Sequence, residues 1–143
     1  MSKGFPYTVI TSLMSLSSWG VRVISIYIIM NKVPEFYSFQ DFYPYYLSEH
    51  SNPTCRTLHY IGTVLGSVFL VLALLTQNLW FLVLYPLCGY SFAWVGHFAF
   101  EKNKPATFNY PIWSLMGDYK MLWMAFNGTL EPFLKEAFAK YGK

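Results

Sequence analysis

Charge is what this chain has least of. Asp, Glu, Lys and Arg make up 12% of its 143 residues, about half the ~25% of an ordinary soluble domain. From Thr57 to Phe100 there is none at all. Cys55 and Cys88 are too few for a disulfide framework, and Cys88, in the middle of an apolar run, behaves as a small buried hydrophobe. There is no GxGxxG, so nothing in the sequence calls for a nicotinamide or flavin cofactor. The net charge of +3 is small and its lysines are scattered, which argues against nucleic acid as a partner and leaves at most an attraction to anionic lipid headgroups. What fills the chain is apolar: 55% hydrophobic and 21% aromatic. A single domain of this length cannot hide that much from water. Lipid is the solvent it suits.

The uncharged interval holds two apolar runs, Leu58 to Leu75 and Leu79 to Phe98, separated by Thr76-Gln77-Asn78. Each approaches the ~20 residues that a helix rising ~1.5 Å per residue needs to cross hydrocarbon. The expected fold is therefore all-α and polytopic, a transmembrane hairpin over about 58–75 and 79–98 with interfacial or half-inserted helices around it. Pro86 and the glycines Gly62, Gly66, Gly89 and Gly96 are compatible with membrane helices that approach closely. Lys32 and Arg56 precede the hairpin, Lys102 and Lys104 follow it, and the turn carries no charge, so both outer ends should face the cytosol. That places the protein in the endoplasmic reticulum membrane of a eukaryote or the cytoplasmic membrane of a bacterium.

All three histidines, His50, His59 and His97, border this stretch. An antiparallel hairpin brings His59 and His97 to one depth, and His50 lies in the segment just before. Three imidazoles on one membrane face can hold a metal ion. Glu101, i+4 from His97, shares its face on the exiting helix, and Glu49 adjoins His50; each could complete a metal shell or be an interfacial charge. Asp118 is expected to orient a histidine or Lys120 rather than bind metal, and Asn52 and Asn103 to act as caps beside the site.

The flanks suit an interface. Phe36 to Tyr46 carries seven aromatics around Gln40, Asp41 and Pro44, the mixture of a headgroup layer. Asn52-Pro53 is a turn signal. From Ile112 to Phe126 the apolar run is interrupted by Gly117, Asp118 and Lys120, which suits a half-inserted or protein-buried helix. Residues 129–143 form an amphipathic helix with Thr129 as N-cap. Residues 1–33 are an N-terminal extension, readable as an extra membrane helix or as a lead-in before an internal start at Met30. Residues 34–128 make the central membrane domain.

Tyr45-Tyr46-Leu47-Ser48-Glu49-His50-Ser51-Asn52, Arg56-Thr57-Leu58-His59-Tyr60-Ile61-Gly62, Gly96-His97-Phe98-Ala99-Phe100-Glu101-Lys102-Asn103-Lys104-Pro105-Ala106-Thr107-Phe108, then Pro111 and Ser114-Leu115 to Asp118 together resemble the 2-hydroxy-palmitate dioxygenase (Mpo-like) family. The resemblance runs from about Phe39 to Met124. It implies an iron(II)-dependent membrane dioxygenase of fatty acid α-oxidation, with His50, His59 and His97 as its functional histidines. The implied substrates are a 2-hydroxy fatty acid and O2, and the products the acid one carbon shorter, carbon dioxide and water. Arg56 or Lys102 could then steady the substrate carboxylate.

Other functions fit less well. A di-iron hydroxylase needs more ligands than three histidines and a few acids supply. Cys55 and His59 lie one helical turn apart, but no third group positions them as a hydrolase. The competing reading is a non-enzymatic membrane protein that binds lipid or a structural metal such as zinc. Homo-oligomerisation stays open.

Overall fold

In the computed structural model, residues 34–142 are described; the expectations for residues 1–33 lie outside them. The described residues are helical throughout, without a strand. α1 (Phe39–Ser48) starts at Ser38, whose Oγ accepts the Asp41 N–H at 3.1 Å. α2 (Pro53–Thr76) and α3 (Trp80–Val95) form the hairpin. α3 runs on as a π-helical turn, Gly96–Glu101, and a short 3-10 turn, Ala106–Phe108, leads to α4 (Pro111–Phe126) and α5 (Leu130–Tyr141).

The first hairpin helix begins five residues ahead of the expected Leu58. Asn52 accepts the Thr54 N–H at 2.8 Å and Pro53 occupies the first helical position, so the turn signal is itself a helix start. The helix ends where Gln77 turns left-handed at φ 57°. Both hairpin helices are long and apolar enough to cross a membrane.

The two helices meet closely at Gly62. A Cβ there would stand 3.0 Å from both the Gly89 carbonyl oxygen and the Phe92 Cβ, so only glycine lets the backbones approach this far. Away from that seam the hairpin shows its apolar side chains outward: Leu74 is 66% and Val71 52% exposed.

The packed core lies elsewhere. α1, α4 and α5 enclose Phe42, Tyr43, Tyr46, Leu47, Met121, Leu130 and Leu134, all buried. α4 contributes the stripe Ser114, Gly117, Met121 and Met124, the spacing of one helix face. The Lys120 ammonium lies 4.0 Å from the Tyr43 ring centroid, which accommodates a charge beside an apolar helix. Thr129 sits at the cap position of α5, but its hydroxyl bonds the Asn127 side chain instead of capping the helix.

Candidate metal centre

Each histidine reaches the site from a different local device. His50 follows the end of α1, where its backbone N–H bonds Leu47 O and its Nδ1 lies 2.6 Å from the Tyr46 carbonyl. His59 lies on α2, two turns in from its capped start, and its Nδ1 is 2.7 Å from Asp118 Oδ1 on α4. His97 rides on the π-helical turn, with Nδ1 2.8 Å from Asn103 Oδ1. All three side chains are buried, and their ring centroids are 4.4, 4.7 and 5.0 Å apart.

The partners determine the tautomers. A carbonyl and a carboxylate only accept, so Nδ1 of His50 and of His59 must carry the proton. Asn103 Nδ2 donates to Glu49 O and Glu49 Oε2 at 3.0 and 2.8 Å, which turns its amide oxygen toward His97 and makes that Nδ1 a donor too. In a neutral imidazole that tautomer leaves the lone pair on Nε2. Nε2 of His50 and of His59 is buried without a hydrogen-bond partner, an expensive arrangement unless something accepts those lone pairs. One ring nitrogen from each histidine can be chosen so that all lie within 4.8 Å of one another. The set fits a metal ion: each of the three histidines can offer one ring nitrogen to it. Burial, reinforced by the two neighbouring imidazoles, lowers the His50 pKa well below 6.5 and keeps it an unprotonated donor at neutral pH.

Asp118 is placed by its neighbour. A Cβ at Gly117 would come within 3.0–3.1 Å of the Tyr46 ring, so the missing side chain lets α4 lie flush on that ring. The Tyr46 hydroxyl then donates to the same Asp118 oxygen that receives His59. Burial and the Asp118 charge raise the Tyr46 pKa well above 10.0, so the phenol remains a donor. Tyr46 thus supports two histidines, His50 through its carbonyl and His59 through Asp118. Its role was not anticipated, although its position four residues before His50 and the Gly117-Asp118 pair were the signals.

The other expected site residues stand around the histidines rather than among them. Glu101 accepts from Ser51 Oγ and from the Asn52 backbone N–H at 3.0 and 2.5 Å. Its carboxylate is thereby held against the start of α2. Glu49 bonds Asn103, and Asn52 caps α2. Arg56 donates to the carbonyls of His50 and Ser51 at 2.9 and 2.8 Å, clamping the turn between α1 and α2. Lys102 is exposed at the left-handed end of the π turn.

The histidines open onto a cavity shared by α2, α3, the 3-10 turn and α4. Its lining includes Gly62, Gly89, Ala93, Ala106 and Leu115, with Tyr85 and Tyr119 further along, and among the described residues it contains no Lys or Arg. An apolar trough therefore ends at a cluster of nitrogen donors. A family model described as 2-hydroxy-palmitic acid dioxygenase Mpo1-like matches residues 36–130. The chain belongs to that family. The matched Mpo1-like segment holds all three histidines together with Asn103 and Asp118. No curated protein and no solved structure matches the chain.

Proposed function

We propose that this protein is an integral membrane, iron(II)-dependent dioxygenase that cleaves 2-hydroxy fatty acids to the acid one carbon shorter, with its site on the cytosolic face. The observation that carries the proposal is the convergence of His50, His59 and His97 at the end of an apolar cavity, in a chain of the Mpo1-like family. His50, His59 and His97 would hold the ion through Nε2, and residues 34–128 would be the working domain. The outward apolar faces of α2 and α3 support the membrane placement.

Bound ferrous iron would supply binding positions for oxygen and a chelating 2-hydroxy acid, and the electrons that make oxygen reactive. The balance closes without a reductant: RCH(OH)COOH and O2 give RCOOH, CO2 and H2O. The protein's own share is positioning. Asp118, Asn103 and the Tyr46 carbonyl hold the three rings in orientation and tautomer, a support that raises ligand basicity. The apolar lining takes the acyl chain and excludes water from the cleavage site.

Protein purified in detergent and loaded with ferrous iron should consume O2 only when 2-hydroxypalmitate is added. Mass spectrometry should find the one-carbon-shorter acid in proportion to the oxygen used. The His50→Ala/His59→Ala/His97→Ala variant should lose both iron and turnover. Stable zinc retention with no oxygen uptake would instead establish the structural-metal reading.

A further inference from the structure

Among the described residues, three buried side-chain polar atoms have no hydrogen-bond partner: His50 Nε2, His59 Nε2 and Ser114 Oγ. All three residues line the same cavity. A metal ion accounts for the two nitrogens and leaves the hydroxyl unexplained. Ser114 is 3% exposed, so bulk water does not satisfy it.

Other helical hydroxyls in this protein avoid that situation. Thr57, Ser67, Thr76 and Ser91 each donate to the carbonyl one turn back, at 3.0, 2.7, 2.7 and 2.6 Å. This is the default bond of Ser and Thr inside a helix. Ser114 does not make it. It stands one turn before Asp118 on the inner face of α4, so it approaches the cavity beside the carboxylate that holds His59.

The cavity has a second peculiarity. Among the described residues, an acid bound there finds no cation in the lining, and Arg56 is committed to the carbonyls of His50 and Ser51. A buried carboxylate still requires hydrogen-bond donors. We propose that Ser114 Oγ is such a donor, hydrogen-bonding a carboxylate oxygen of the amphiphilic acid whose head lies at the histidines and whose tail follows the apolar lining. This rests on the function proposed above and adds a substrate-binding residue to it. A hydroxyl aimed at a ligand stays unsatisfied until the ligand arrives, and a bond to a charged acceptor is stronger than one to a neutral carbonyl.

The test uses Ser114→Ala, which removes one oxygen and leaves the helix intact. Binding of 2-hydroxypalmitate to the iron-loaded full chain is measured without oxygen, and iron content and thermal unfolding are followed on the same samples. The expected result is an affinity about tenfold weaker, with iron content unchanged and Tm unchanged or higher, because the variant no longer buries an unpaired hydroxyl. In turnover the loss should appear in KM more than in kcat. Wild-type affinity in the variant overturns the Ser114 assignment while leaving the proposed function standing. A weaker affinity accompanied by lower Tm and lost iron also overturns it, since Ser114 would then be structural. If the wild-type protein binds no 2-hydroxypalmitate, the proposed function fails and this inference with it.

Discussion

The hairpin and the aromatic cap of this molecule bury apolar residues by opposite routes. In the cap, α1, α4 and α5 turn Phe42, Tyr46, Met121 and Leu134 inward until none exceeds 1% exposure. In the hairpin, α2 and α3 turn glycines inward and leave valines and leucines outside. A large side chain inside a packed core is worth its burial, whereas in the membrane placement proposed above one facing hydrocarbon would gain little by moving inward, because lipid tails are as apolar as Leu. The hairpin is therefore held by close backbone approach, and the cap by volume. The histidines sit at the seam, one from the cap side and two from the hairpin.

That contrast can be broken most visibly in the cap. Met121→Ala removes a fully buried side chain and should destabilise the protein by about 2–5 kcal/mol, read as a drop in thermal midpoint in detergent; a loss below about 1 kcal/mol would deny the cap a tightly packed core. Gly62→Ala adds a single methyl where two atoms already stand at 3.0 Å. It should cost about 1–3 kcal/mol by overpacking, and a neutral result would mean that the helices separate freely. Asp118→Asn tests the seam: it weakens the acceptor behind His59, and iron affinity should fall about 10–100-fold in a chelator competition. Unchanged affinity would remove Asp118 from the support of the site. The smallest effect belongs to Val83→Ala on the outer hairpin face, where Val83 is 47% exposed. In lipid it should shift stability by no more than about 0.5 kcal/mol. A larger loss would place that face against protein.

The sequence made the long-range arrangement more legible than the local one. Charge-free length locates two helices, since nothing but helical repetition fits those runs, and their antiparallel packing brings His59 and His97 to one end. What stayed hidden depended on backbone detail. Asn52-Pro53 signals either a turn or a helix start, and only the Asn52 side-chain bond to Thr54 decides. Spacing puts Glu101 near His97, but only the partners it meets, Ser51 Oγ and the Asn52 N–H, show where its carboxylate is held. Arg56 carried the expected charge for a carboxylate, yet two local carbonyls lie closer to hand. Tyr46 and Ser114 were anonymous within their aromatic and apolar surroundings. Their importance comes from neighbours distant in sequence, Asp118 for the one and the cavity for the other.

The π-helical turn at Gly96–Glu101 also acts as a change of phase. An α-helix advances ~100° per residue, and one residue too many in a turn shifts everything beyond it by about that arc. The turn still packs on α2, where Gly96 lies against Cys55, while the His97 ring is held from beyond it by Asn103. Deleting a residue nearby would preserve composition, hydrophobicity and length almost unchanged while rotating an imidazole out of register with its two companions. The grouping of the three imidazoles thus depends on a rotational offset in the backbone as well as on which residues are present.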